Sequence, residues 1–303
     1  MKRGALLHVL ALVTVVGNAV PGAHHPAPAR HTRGACVDSA RIRWEPARPR
    51  NGTLFALFIG GTTTSSASSS ASIASMTVAG ENVSLAEGSG PARALAPMPI
   101  DSVDGVTLRV ACTRGDTILV RIPATNGNYP LEQLRVAPRF SAPPSAALVE
   151  RLAREAQRAA QVFTNSRTTP PLWRLPFLAP RASRITSEYG GGRMFNGAIT
   201  SRHMGTDYAG AVGAAVHATN RGVVRLVDRF YLAGNVVYID HGGALVSAYL
   251  HLSRAMVRVG DTVSAGTIIG RVGATGRVTG PHLHFALRYG AISIDPLSAL
   301  RLQ

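Results

Sequence analysis

The chain carries ten histidines, and four of them stand where side chains could act together. His282 and His284 are separated by one residue in Gly280-Pro281-His282-Leu283-His284-Phe285. In a β-strand, residues i and i+2 project from one face, so the two imidazoles would point together while Leu283 and Phe285 turn toward a core. Arg202-His203-Met204-Gly205-Thr206-Asp207-Tyr208 supplies a histidine and a carboxylate four residues apart. Gly205 and the β-branched Thr206 favour a loop running into a strand there over a helix. A third segment, Ala248-Tyr249-Leu250-His251-Leu252, would put Tyr249 and His251 on one strand face and the leucines on the other.

Four histidines and one aspartate, with no suitable cysteine, meet the needs of a catalytic zinc site, which takes three N/O protein ligands and keeps a position open for water. Such a zinc brings the pKa of its water toward about 7 and polarises a carbonyl, so a peptidase can work at neutral pH without a Ser or Cys nucleophile. A site of two His and one Asp leaves two histidines over, free to steer protons or to stabilise an oxyanion. His217, in an apolar strand, and His241, ahead of the turn Gly242-Gly243, read as structural.

The elements that must position these groups follow from composition and periodicity. A chain of 303 residues with 46% hydrophobic content is long enough for two domains, each with a core. Met1-Lys2-Arg3 and the apolar run Gly4 to Val16 have the form of a secretory signal peptide, assigned to residues 1–23. Residues 24–35, rich in Pro, Ala and His, read as a disordered mature N-terminus. In an exported chain the two cysteines, Cys36 and Cys112, most economically form one disulfide. It would close a loop of about 75 residues and stabilise by roughly 4 kcal/mol in the chain-entropy model.

Residues 36–142 alternate short β-type runs (Leu54–Ile59, Met76–Leu85, Val106–Ala111, Thr117–Ile122, Leu134–Val136) with turns, the pattern of a small β-sandwich-like accessory domain. Gly60 to Ser75 reads as a loop within it. Residues 143–176 form a connector: Ser145 can cap a helix from Ala146 to about Phe163, whose face of Leu148, Leu152, Ala156, Ala159 and Phe163 should dock on a neighbouring domain. Thr164 to Pro176 reads as an extended linker. From residue 177 to 303, glycine-rich turns separate short strands without intervening helices, which implies an antiparallel β-domain. Val259 to Gly270 reads as a hairpin in it, with Asp261 in the turn. The fold class is mainly β.

Taken in order, His203-x-x-x-Asp207, Tyr249-Leu250-His251-Leu252 and Gly280-Pro281-His282-Leu283-His284 resemble the motifs of the lysostaphin/LytM-type zinc metallopeptidases, over roughly Ile185 to Leu297. The resemblance implies a β-sheet groove that hydrolyses peptide bonds in peptidoglycan stems or cross-links. It implies one Zn2+ held by His203, Asp207 and His284, with His251 and His282 orienting the attacking water and stabilising the tetrahedral intermediate. Tyr249 is expected to wall the groove or to donate a supporting hydrogen bond. Many relatives have Glu directly after His-x-His-Phe, where this chain has Ala286.

The partner is then a peptidoglycan peptide and the location a bacterial periplasm or cell envelope, with no stable membrane insertion after signal cleavage. A net charge of +16, almost wholly from arginine, favours encounter with anionic wall polymer. The export signal and the scattered arginines disfavour nucleic acid. A zinc-free relative that activates another hydrolase is the alternative reading, and a cupin-like metal binder is disfavoured because the first acid after His284 is Asp295.

Overall fold

The computed structural model describes residues 36–37, 39–60, 72–86, 92–134, 145–195 and 198–303. The apolar leader, the segment 24–35 and residues 61–71 of the Gly60–Ser75 stretch lie outside the described residues.

The N-terminal module is a sandwich of two antiparallel four-stranded sheets. One sheet contains β1 (Ile42–Glu45), β2 (Leu54–Ile59), β5 (Leu85–Ala86) and β6 (Ala92–Pro97). The other contains β3 (Ile73–Val78), β4 (Glu81–Asn82), β7 (Val106–Cys112) and β8 (Thr117–Ile122). β7 alternates buried and open positions, placing Val106, Leu108 and Val110 in the core between the sheets. The disulfide Cys36–Cys112 ties the start of the module to the end of β7. Sequence reading missed β6, whose Ala-Arg-Ala-Leu-Ala-Pro lacks β-branched residues. It also merged β3 with two later short strands and began it too late: β3 starts at Ile73, inside the expected loop.

β2 reads Leu-Phe-Ala-Leu-Phe-Ile, apolar without alternation, because both its faces are covered. Phe55, Leu57 and Ile59 enter the sandwich core. Leu54 and Ala56, with Leu95 of β6, pack into a second cluster with Trp173, Phe177, Leu245, Leu287, Tyr289 and Ile294 of the C-terminal half. The two modules therefore share a core. Polar ties cross the same boundary: Arg167 makes a bidentate pair with the buried Glu81, which also accepts from the Ala291 N–H.

Helix α1 (Ala146–Ser166) is capped by the Ser145 hydroxyl, which accepts from the Leu148 N–H. It lies on the sheet of the C-terminal half through Ala159, Val162 and Phe163. Its last residue, Ser166, is buried and donates to Asp240. The segment after it is not an open linker: Leu172 and Trp173 both donate to the His241 carbonyl, and Trp173 and Phe177 are buried.

The C-terminal half contains β10 (Ile185–Ser187), β11 (Gly192–Phe195), β12 (Ala198–Arg202), β13 (Thr206–Ala209), β14 (Ala215–His217), β15 (Gly222–Phe230), β16 (Gly234–Asp240) and β17 (Leu245–Leu252). After these come β18 (Arg254–Ala255), β19 (Thr262–Val263), β20 (Ile268–Arg271), β21 (His282–Tyr289), β22 (Ile292–Ile294) and a short α2 (Pro296–Ala299). Its main sheet runs β10-β13-β21-β17-β16-β15-β19, with β22 beside β21, every pair antiparallel. The Val259–Gly270 stretch is not a hairpin. β19 pairs with β15, whereas β20 joins β14 and β18 in a separate small sheet, so the two arms serve different layers. A further strand from the N-terminal module, β9 (Leu131–Leu134), pairs parallel with β11, the one parallel pairing among the named strands described.

Candidate metal centre

Two neighbouring strands of the main sheet, one place in from its β10 edge, build the site. β13 and β21 run antiparallel with Asp207 opposite His284 and Ala209 opposite His282. On β21 the alternation is clean: Leu283, Phe285 and Leu287 are buried while His282, His284 and Ala286 are partly open. His203 sits in the turn between β12 and β13, so the His-x-x-x-Asp unit is a loop entering a strand as its residues imply.

His203 Nε2 lies 3.1 Å from His284 Nδ1 and 3.2 Å from Asp207 Oδ1, and His284 Nδ1 lies 2.8 Å from the same oxygen. Among the described residues these three form the cluster able to hold a metal ion. A tetrahedral zinc with bonds of about 2.0–2.1 Å needs donor atoms roughly 3.3 Å apart, so the triangle fits. The donor chemistry agrees. His203 Nδ1 lies 2.8 Å from the Glu188 carbonyl, which can only accept, so that nitrogen carries the proton and Nε2 turns a lone pair toward the carboxylate. Lone pair and carboxylate oxygen at this distance call for a cation between them.

Burial opposes ionisation of Asp207, but the adjoining His203 and His284 imidazoles outweigh it and hold the carboxyl well below its ordinary value. Burial pushes the His284 imidazole down, against the pull of Asp207. Gly205 explains why the loop fits. A Cβ there would stand 2.5 Å from His284 Nε2 and 2.7 Å from the Phe285 carbonyl, so only hydrogen can back the imidazole.

The other two histidines flank this triangle. The ring of His251 is 5.0 Å from that of His282 and 6.0 Å from that of His284. His251 Nδ1 lies 2.9 Å from the Thr275 carbonyl and His282 Nδ1 lies 2.9 Å from the Gly280 carbonyl. Each carbonyl fixes the Nδ1–H tautomer and leaves Nε2 as the working nitrogen. Burial lowers the His251 pKa to about 4, with His284 and His282 adding to the effect, so this imidazole is neutral and keeps a lone pair at its open nitrogen.

The backbone at His251 overturns the expected face sharing with Tyr249. His251 has φ of +61°, and β17 carries an extra residue against β16 between Tyr249, opposite Val237, and Leu252, opposite Asn235. This bulge turns His251 out of the strand's alternation, and a left-handed non-glycine residue at a reactive position is a known way of storing strain. Tyr249 neither walls the groove nor donates to it. It is fully buried against Phe285, and its hydroxyl accepts from the Thr219 N–H and from Ser247. Ala286 lies opposite Ala248 and packs with the cluster under α1. His241 is structural as expected, fully buried between the Arg221 carbonyl and the Ser247 hydroxyl.

A cleft of about 590 Å³ opens beside His203 and Asp207, and its opposite lining comes from the N-terminal module: Arg50 and the loop Gly127–Pro130. Tyr129 anchors that loop. Its ring meets Tyr189 edge-on at 5.7 Å and its hydroxyl donates to the Asn51 carbonyl at 2.5 Å. Sequence reading found no part for this loop, since nothing local in Asn126-Gly127-Asn128 marks more than a turn.

Residues 201–296 match the family model described as Peptidase family M23. Peptidoglycan DD-endopeptidase ShyC of Vibrio cholerae is 44% identical over 94 residues, 31% of this chain and 22% of that protein. DD-carboxypeptidase/endopeptidase Mpg of Neisseria meningitidis is 41% identical over 96 residues, 32% of this chain and 22% of that protein. The chain thus spans about a fifth of the length of these curated relatives. A crystal structure of a candidate peptidase M23 from Pseudomonas aeruginosa superposes over 84% of this chain and 95% of its own, with TM-score 0.64 and 23% identity, a likeness of fold.

Proposed function

Residues 201–296 carry a peptidase family M23 domain, and from that premise we propose that the chain is a zinc metalloendopeptidase that hydrolyses peptide bonds in peptidoglycan stems or cross-links. The observation that carries this reading is the convergence of His203, Asp207 and His284 on one point with His251 and His282 beside it. His203, Asp207 and His284 are the ligands. When bound, zinc supplies an acidified water and an electrophile for the scissile carbonyl.

The remaining steps belong to the chain's own groups. His251, neutral and held by the Thr275 carbonyl, takes a proton from the attacking water at Nε2 and returns it to the leaving amine. His282, its Nδ1 held by the Gly280 carbonyl, turns Nε2 to within 3.8 Å of Asp207, and with a proton on that nitrogen as well it donates to the charge that develops on the substrate oxygen. The named activity of ShyC on peptidoglycan supports the substrate class. The leader at residues 1–23 supports action in a bacterial periplasm or envelope, and no described helix is long and apolar enough to cross a membrane.

Purified full-length chain should contain one zinc per molecule and release soluble peptides from peptidoglycan sacculi. Absence of both zinc and release sinks the proposal. Mass analysis of the products identifies the bond cut.

A further inference from the structure

We infer that Arg50, on the N-terminal module, is a specificity-determining residue that binds a carboxylate of the peptide substrate in the cleft beside the metal centre. This rests on the peptidase reading above and adds the chemistry by which one end of the substrate is held.

Arg50 lines the same cleft as His203 and Asp207 although it comes from the other module. Its guanidinium is preorganised. Nη2 donates to Asp295 at 2.8 Å, and the group lies 5.5 Å from the centre of the Tyr129 ring. Asp295 is itself fixed: its side chain is 3% exposed, its carboxylate accepts from the Leu297 N–H, and its own N–H donates to the Gly52 carbonyl.

A guanidinium has five N–H donors, and Asp295 engages one of its terminal nitrogens. The side chain remains 38% exposed, so donors remain for a ligand in the cleft. Arg301 lines the cleft as well, making Arg50, Asp295 and Arg301 a cluster of two cations around one buried anion. The cleft's other acids are Glu188, which is solvent-exposed, and Asp207, already assigned to the metal. A planar, held fork suits a carboxylate, and holding it in advance lowers the entropy lost on binding. Peptidoglycan peptides bear free carboxylates on side chains and at chain ends, so a proposed substrate offers the matching group.

The structural role of Arg50 against Asp295 must be separated from recognition, and substrate chemistry does that. Two probes serve: muropeptide dimers released from sacculi, and the same dimers with their carboxylates converted to amides by carbodiimide and ammonia. For the zinc-loaded full chain, R50Q should raise KM about 10- to 100-fold on the free dimers with kcat within about twofold, the loss expected of a charge-assisted contact. On the amidated dimers wild type and R50Q should agree within about twofold, and R50K should recover part of the loss on the free dimers. Equal losses on both probes, or none on either, would overturn the assignment.

Calorimetric binding of both probes to metal-free full-length wild type and R50Q reads the same contact without turnover. If wild type cuts neither probe, the peptidase reading falls. Arg50 then stands only if wild type still binds the free dimers more tightly than the amidated ones and R50Q abolishes that preference. Absence of such a preference refutes it.

Discussion

Gly205→Ala tests whether the metal centre is built by close packing as well as by its ligands. The added Cβ would stand 2.5 Å from His284 Nε2, 2.6 Å from its Cε1 and 2.7 Å from the Phe285 carbonyl oxygen. Ordinary contacts begin near 3.4 Å, so the ring or the strand must retreat by about 1 Å. Retreat is resisted. Thr206 and Phe285 are register partners in the β13–β21 ladder, and both Phe285 and Leu283 are locked in the core. No left-handed backbone cost applies at Gly205, so the whole effect is steric. Overpacking of this kind costs about 1–3 kcal/mol of folding stability. Metal sites tolerate only about 0.2 Å of ligand displacement, so zinc affinity should fall about 100-fold although no ligand has changed. Chelator competition measures the affinity, and urea unfolding of the metal-free protein measures the packing cost by itself. A Gly205→Ala protein binding zinc within about threefold of wild type would refute the reasoning.

Replacing His284 or Asp207 with Ala should remove zinc and activity together, whereas His251→Ala and His282→Ala should keep most of the zinc and lose turnover by about 10²-fold or more; zinc analysis beside a sacculus assay decides, and equal zinc loss in all four means the roles are wrongly divided. His241 should make stability pH-dependent, because burial depresses its folded pKa to about 4 from an ordinary 6.5. The unfolded chain takes up that proton near pH 6.5 and the folded one does not, so the contribution is full above 6.5 and is lost as pH falls toward 4, by roughly 3 kcal/mol. Urea midpoints from pH 7.5 to 4 should therefore fall less in His241→Gln than in wild type, and parallel curves contradict the assignment. A fragment starting at Phe177 loses Leu54, Ala56 and Leu95 as cover for Leu245, Leu287 and Tyr289. It should bind a hydrophobic dye and unfold at lower urea than the full chain, and matching midpoints would show the shared core to be dispensable.

Much of the site was legible because it depends on short-range geometry. The two-residue period of a strand put His282 and His284 on one face, and the loop character of Gly205-Thr206 kept His203 off a helix. The same argument failed at His251, where one left-handed residue shifted the phase and sent Tyr249 into the core. Strands such as β6 and β11 were missed because Ala, Gly and Arg carry little β signal and their pairing partners supply the stability.

The sequence by itself determined which groups are available for chemistry: three histidine-bearing segments with one carboxylate and a helix with its cap, each written in residues within a few positions of one another, and a cysteine pair named by being the only two. Only the tertiary structure decided that Asp207 lies opposite His284, residues 77 positions apart, and that His203 turns Nε2 and His284 Nδ1 to the same point. It alone placed Arg50 and Tyr129 of the N-terminal module across the cleft from that point. Register and docking are fixed by which apolar faces bury one another over long separations, and no local pattern of residue types encodes that choice.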